Sequence, residues 1–448
     1  MKQRAIVIGG SIAGLFAAAV LSQHFAEVVI FERDALRIAD DAVPRRGVPQ
    51  AGHSHVLLGS GARALETIFP GIVDELERDG ASRGGDLGRD VVWYLEGGRF
   101  APTTSGIEGF SMTRPFLESR VRARTRALPN VRFVDRTAVD AVASSRDARR
   151  ITGVVASGVT HSAELVVDAS GRGSRSTAWL TALGYARPAT TVVDIDVRYT
   201  TRFFARPEHL PGETRAFIVP PTPESKRGGG MISQEGRRWI VTLISHFGEF
   251  PPSDLDGFIA FARDLPAGEI AATISQLEPL GDARTIRIAT SVRRHYERLK
   301  SFPLGYLVIG DAISSFNPIY GPGMSVAALE AVALGEVLRT RSAPSSRRYL
   351  TRCAGIVECA WMLAAASDLR IPEARGRRRM RTRLASTYVP LLLRAAHSDP
   401  ACGRGFLRVS NLLAAPRSLI RPAMLFRVAR AACVRAASGV GRKRPGTA

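Results

Sequence analysis

The chain has 448 residues, 45% hydrophobic and 23% charged. That excludes a disordered or fibrous protein and allows two or three domains, or one composite enzyme with a large core. Its formal charge of +21 raises nucleic acid and anionic membrane as partners, but the arginines run along the whole chain without zinc-finger spacing or an aromatic-basic run, so no nucleic-acid partner is expected.

Residues 5–8 read as a buried strand, Ile12–Ser22 as a helix and 27–31 as a second strand. This βαβ opening starts too early for a signal peptide, which points to the cytoplasm. The turn inside it is Gly9-Gly10-Ser11-Ile12-Ala13-Gly14. A glycine at 9 permits the tight turn, and a small residue at 11 lets a diphosphate approach the helix N-terminus. Gly14 lets helix and strand pack closely. Ser11 stands where the usual fingerprint has its second glycine. Glu32, at the end of the second strand, is placed to bind a ribose hydroxyl pair and to repel a 2′-phosphate. The alternative is a glycine-rich turn with a surface glutamate.

Residues 34–50 read as loop, 59–77 as one helix, 80–90 as a glycine-rich segment, and 91–94 with 99–102 as a hairpin. His53 and His55 have no carboxylate or cysteine company for a metal; they read as packing residues or as contacts to cofactor or substrate. Residues 114–128 form a basic amphipathic helix, followed by strands at Val131–Val134, around 141, at 153–157 and at 164–167. The last ends in Asp168-Ala169-Ser170-Gly171-Arg172-Gly173-Ser174, a turn that suits backbone passing close to a cofactor and equally suits any strand-to-loop turn.

Thr190–Ala205, 215–219, 230–233 and 239–244 suggest a mostly antiparallel sheet, with a helix over 254–265. The inward faces of 193–204 and 239–244 are expected to wall an apolar pocket. A buried strand at 306–309 leads into Gly310-Asp311-Ala312, and Asn317-Pro318-Ile319-Tyr320-Gly321-Pro322-Gly323-Met324 opens a helix to 339. Asp311 can accept hydrogen bonds from a polyol such as a ribityl chain. The amides that start the helix can face a carbonyl or a developing anion; a proline turn before a helix cap would explain the helix start alone. Beyond 345 the chain reads as helical and basic. Its helices can lie on anionic lipid as a weak peripheral membrane contact, or pack on the enzyme with arginines outward. Cys353, Cys359, Cys402 and Cys433 lack CxxC spacing, so free thiols are expected, with no metal site. No apolar run is long enough to span a bilayer.

The order of these blocks resembles the aromatic-hydroxylase-type flavoprotein monooxygenases, the superfamily of para-hydroxybenzoate hydroxylase and squalene epoxidase. Arg45-Arg46-Gly47-Val48-Pro49-Gln50, His53, His55 and residues 317–328 resemble a narrower branch, the bacterial polyether-antibiotic epoxidases. Pro322 departs from the polar residue common there. The resemblance implies FAD bound through Gly9, Ser11, Gly14, Glu32 and Arg33. It further implies contacts from Arg46 of the Arg45-Arg46 loop, from Arg122 near the diphosphate, from Asp311 on the ribityl chain, and from Gly323 and Met324 beside the flavin ring.

The same resemblance implies NAD(P)H or a flavin reductase as electron source, with O2 as co-substrate. Oxygen is then delivered from a C4a-hydroperoxyflavin to a small apolar polyene, polyketide or terpenoid, most simply as olefin epoxidation. Aromatic or aliphatic hydroxylation, prenyl-chain reduction, halogenation, and an FAD-binding sensor without turnover are the alternatives. The Trp-x-Trp-x-Ile-Pro segment of flavin halogenases is absent. No catalytic side chain is singled out. The expected architecture is α/β: a Rossmann-like FAD-binding domain (1–85, 111–185, 286–345), interrupted by a mostly antiparallel β-sheet substrate domain (hairpin 86–110, sheet 186–285), with a helical basic C-terminal region (346–448).

Overall fold

The computed structural model describes residues 2–36, 45–207, 214–340 and 345–439. Residues 37–44 of the expected loop, 208–213 of the expected sheet domain, and 1, 341–344 and 440–448 at the edges of the other expected regions lie outside the described residues. The fold is α/β, with a Rossmann-like parallel sheet, a mostly antiparallel sheet and C-terminal helices.

Five parallel strands lie in the order Tyr306–Val308, Leu165–Asp168, Lys2–Ile8, Phe25–Phe31, Val131–Val134. Ala5, Ile6 and Val7 are wholly buried, as a parallel sheet covered on both faces requires. Helix Ile12–Ser22 buries nine of its eleven residues, which explains its apolar character all round. It packs on helix Gly323–Leu338, where a Cβ on Gly335 would come within 3.1 Å of Val20 Cγ1. A three-stranded antiparallel sheet (Val139–Ser144, Ile151–Ala156, Val159–Ser162) sits beside Leu165–Asp168.

The second large sheet has eight strands, built around two of sixteen residues, Thr190–Ala205 and Pro279–Arg294. It is antiparallel except where Val91–Leu95 runs parallel to Ala216–Val219. One face is a core of its own: Phe204, Trp239, Val241 and Leu243 pack under Phe258 and Phe261 of helix Leu255–Arg263 and Ile270 of helix Gly268–Ile274. The other face turns toward residues 53–56 and the loop before helix Gly323–Leu338.

Several local expectations change. The single helix over 59–77 is two, Gly59–Ile68 and Ile72–Arg78, because Pro70 and Gly71 (φ 80°) break it. Strand Pro279–Arg294 and helix Gly268–Ile274 are not among the expected elements; the first nine residues of the strand include no buried one, which removes the alternation that marks a strand. The hairpin's second strand is only Gly98–Arg99. Beyond 345 come helices Ser346–Asp368, Met380–Ala395, Pro400–Ser410 and Pro422–Gly439. Among the described residues no helix is long and apolar enough to cross a membrane.

Candidate functional site

The glycine turn is built for close approach. Gly9 has φ 103°, and a Cβ there would meet Ala169 O at 2.7 Å; a Cβ on Gly14 would sit 1.8 Å from Gly9 O. The 168–174 turn thus brings its backbone against the glycine turn. It is fixed from behind by Asp168, which accepts hydrogen bonds from the hydroxyls of Ser170, Ser174 and Ser176. Ser11 is the N-cap of helix Ile12–Ser22 but caps no amide with its side chain. The first-turn N–H groups therefore remain available to an anion.

Around this helix start lies a buried cluster of charges. Glu118 is 3% exposed and accepts from Ser11 Oγ (2.7 Å), Arg45 (2.7 Å) and Arg122 (2.9 Å), with Arg114 at 3.5 Å. Burial alone would raise its carboxyl; Arg114, Arg45, the Ser11 hydroxyl and Arg122 together hold it below the ordinary glutamate range. Glu32 accepts from the Gly10 amide at 2.7 Å and the Asp34 amide at 2.9 Å, and Arg45 lies 3.3 Å from both Glu32 and Asp34. Three arginines and three acids thus meet at a helix N-terminus, a donor set that fits a diphosphate and a ribose.

A second pole lies where strand Tyr306–Val308 ends. Gly310 adopts φ 67°, and its N–H donates to Glu330 Oε2 at 2.6 Å. Glu330 is wholly buried, and burial, opposed by that amide, pushes its carboxyl up to about 8. Asp311 keeps 34% of its side chain exposed, with Arg172 at 3.9 Å. A Cβ on Gly323, the first residue of helix Gly323–Leu338, would lie 3.8 Å from Asp311 Oδ1. Met324 behind it is buried. Gly321 (φ 65°) presses against Val56. An accessible carboxylate beside a helix N-terminus fits a ribityl chain and a ring carbonyl.

Between the loop ahead of helix Gly323–Leu338 and the eight-stranded sheet lies a buried polar network. Asp368, at the end of helix Ser346–Asp368, accepts from Asn317 Nδ2 (2.7 Å) and Tyr320 Oη (2.9 Å) through Oδ1. Its Oδ2 has no partner. Burial pushes this carboxyl up to about 7 against those two hydrogen bonds. Burial, with Asp368 nearby, also holds the Tyr199 and Tyr320 hydroxyls well above the usual tyrosine range. The Tyr199 ring lies 5.9 Å from that of His53, whose Nδ1 is 2.8 Å from Thr201 Oγ1; Thr201, Thr242 and Ser54 continue the chain of hydroxyls. Burial and Arg284 push His53 down to about 4, so it is neutral near pH 7. His55 places Nδ1 2.9 Å from the His53 carbonyl, which can only accept, so Nδ1 carries the proton there.

The structure thus gathers Gly9, Ser11, Gly14, Glu32 and Arg122 at one pole and Asp311, Gly323 and Met324 at the other. Arg33 is exposed two residues beyond strand Phe25–Phe31, and Arg46 points to solvent while its neighbour Arg45 enters the charge cluster. Arg114, Glu118 and Arg122 recur every four residues on one helix face, a spacing visible in the sequence that would have revealed the cluster. Asp368, Glu330 and Tyr199 carried no such signal. The sheet face expected to be apolar is polar at its centre, where Thr201 pairs with Thr242 across the strands. No group of three or more His, Cys, Asp or Glu is arranged for a metal among the described residues.

No protein-family model matches the chain. It is 32% identical to Protein Rv3254 of Mycobacterium tuberculosis over 431 residues, 92% of this chain and 90% of that protein. Among solved structures it is similar to the flavin-dependent brominase Bmp2, with TM-score 0.67 and 15% identity, covering 96% of this chain and 98% of that one. PqsL of Pseudomonas aeruginosa, in complex with 2-aminobenzoylacetate, gives 0.60 at 18%, covering 82% and 97%. A tetrameric 2-methyl-3-hydroxypyridine-5-carboxylic acid oxygenase gives 0.58 at 18%, covering 92% and 97%. At these identities the structural likeness is one of fold, that of flavin-dependent monooxygenases and halogenases. By sequence, the chain belongs to the family of Protein Rv3254.

Proposed function

We propose that the chain is an FAD-dependent monooxygenase that takes electrons from NAD(P)H or a flavin reductase. It inserts one atom of O2 into a polyene, polyketide or terpenoid at a carbon–carbon double bond. The observation that carries this reading is the pair of prepared poles, the Glu118–arginine cluster at one helix start and Asp311 at another. The first-turn amides of Ile12–Ser22, with Arg45, Arg114 and Arg122, would hold the diphosphate. Glu32 would hold the ribose, Asp311 the ribityl chain, and the start of helix Gly323–Leu338 the ring carbonyl. When bound, FAD supplies the redox chemistry and the activation of O2.

The chain's own part is placement and exclusion of water. Asp368 fixes Asn317 and Tyr320, so the loop ahead of helix Gly323–Leu338 keeps one shape. Neutral His53 and the Thr201–Thr242–Ser54 hydroxyls give the sheet face a hydrogen-bonding centre amid Phe203, Ile240 and Ile244. That face suits a largely apolar substrate carrying one hydroxyl or carbonyl group.

Halogenation is the second reading, favoured by the near-complete alignment with Bmp2. One experiment separates the cases: enzyme reconstituted with FAD, given reduced cofactor, 18O2, bromide and a panel of polyenes and terpenoids. A labelled epoxide is the expected product, and a labelled alcohol or phenol would move the assignment to hydroxylation. A brominated, unlabelled product would make it a halogenase, and an unlabelled, more saturated one a reductase. Release of FMN, or failure to retain any flavin, would end the FAD reading.

A further inference from the structure

The C-terminal helices divide their surface in two. Their inner sides form a small separate core, with Leu392, Leu393 and Ala395 of Met380–Ala395 packed with Val428 of Pro422–Gly439, Cys402 and Leu419. A helix whose other side faced only water would carry polar residues there. These do not. Met380 is 68% exposed, Leu384 64% and Leu391 41%, and their spacing places all three on one stripe of the helix. On the last helix Phe426 is 68% and Leu425 43% exposed, with Ala429 and Cys433 exposed on the same side; Ile420, just before it, is 58% exposed. Seven of the twelve exposed large hydrophobics among the described residues fall between 380 and 434.

The charge around these stripes has one sign. Residues 374–439 contain fourteen arginines and one acid, Asp399. Asp399 is already engaged by Arg427 and Arg430 and caps helix Pro400–Ser410. Arg381 and Arg383 adjoin the first stripe, and Arg421 and Arg430 the second, all exposed.

We propose that this face docks the protein on an anionic lipid surface, with the apolar side chains entering the headgroup boundary and the arginines meeting lipid phosphates. The interleaving of exposed apolar side chains with arginines that far outnumber the one acid among them selects that occupant. A nucleic acid matches the charge but leaves the aliphatic stripes in water, and a second copy of the chain covers the stripes but sets arginine against arginine. The proposal does not depend on the flavin reading.

The test is flotation of the full-length protein with vesicles of phosphatidylcholine containing a quarter phosphatidylglycerol, against phosphatidylcholine alone. Binding to the anionic vesicles at least tenfold tighter is expected, weakening as salt rises. The double variant Leu384→Ser/Phe426→Ser should lose at least a further tenfold while keeping its circular dichroism and melting temperature, since both side chains are exposed. No binding to anionic vesicles at low salt would overturn the proposal. So would binding indifferent to the double variant, or complete competition by duplex DNA under those conditions. A concentration-dependent dimer abolished by the double variant would assign the face to a second copy instead.

Discussion

Glu118 and Asp368 are buried almost equally, at 3% and 1% exposure, yet the fold shifts their carboxyls in opposite directions. Glu118 has three arginines and a hydroxyl around it, so its charge is retained and its carboxyl lies below the usual range. Asp368 has only an amide and a phenol on one oxygen and nothing on the other, and burial pushes it up to about 7. Burial is common to both; the partners decide. Glu118 thereby stands charged among cations, whereas Asp368 stands where its charge is disfavoured.

The sharpest way to break this comparison is Glu118→Ala, which leaves Arg45, Arg114 and Arg122 buried without their shared partner. Removing one member of such a buried set costs about 3–5 kcal/mol, read by denaturant unfolding at pH 7. Millimolar inorganic diphosphate should recover part of the loss if the arginines form an anion site. A loss under about 1 kcal/mol would show that the arginines are satisfied elsewhere. In the parent protein the Glu118 contribution is fully present above its unfolded pKa and is lost as pH falls through the depressed folded value.

Asp368→Asn should behave in the opposite way. The parent's folded carboxyl titrates near 7 against an ordinary 3.8. Stability is therefore lost as pH rises through that interval, and remains lost above it. Replacement by Asn should raise unfolding free energy at pH 8 by at most about 4 kcal/mol, with the gain vanishing toward pH 4. A variant destabilised equally at pH 5 and pH 8 would mean that Asp368 works as a charged group.

Glu32→Ala sharpens the first pole. It deletes the proposed ribose acceptor and should weaken FAD binding by about 10- to 100-fold, from hydrogen bonds worth ~1.5–3 kcal/mol. Unchanged affinity in a flavin titration would return Glu32 to a purely structural role on the Gly10 and Asp34 amides. The smallest effect belongs to Arg46→Ala, expected within about 0.5 kcal/mol in both stability and FAD binding. Arg45→Ala, removing a cation in contact with Glu118 and Asp34, should exceed it clearly. Equal effects would indicate that the loop turns over when cofactor binds.

The amino-acid sequence alone determined what is written in neighbouring residues. The Gly9–Gly14 turn, the acid Glu32 after the second strand, the βαβ order and the Pro/Gly loop before Gly323 follow from backbone sterics and side-chain period. Those act over a few residues and leave a visible pattern. The four-residue recurrence of Arg114, Glu118 and Arg122 was equally open to reading. Only the tertiary structure decided that Arg45 enters the cluster while Arg46 does not, because adjacent residues in a non-helical segment project to different sides and packing chooses between them. It alone brought Asp368 to Asn317 and Tyr320, and His53 to Thr201, across 51 and 148 residues of chain. It also left apolar stripes exposed among the arginines of the C-terminal helices. A carboxylate's state depends on which charges and dipoles stand within a few ångströms once water is gone, and separation along the chain carries no record of that distance.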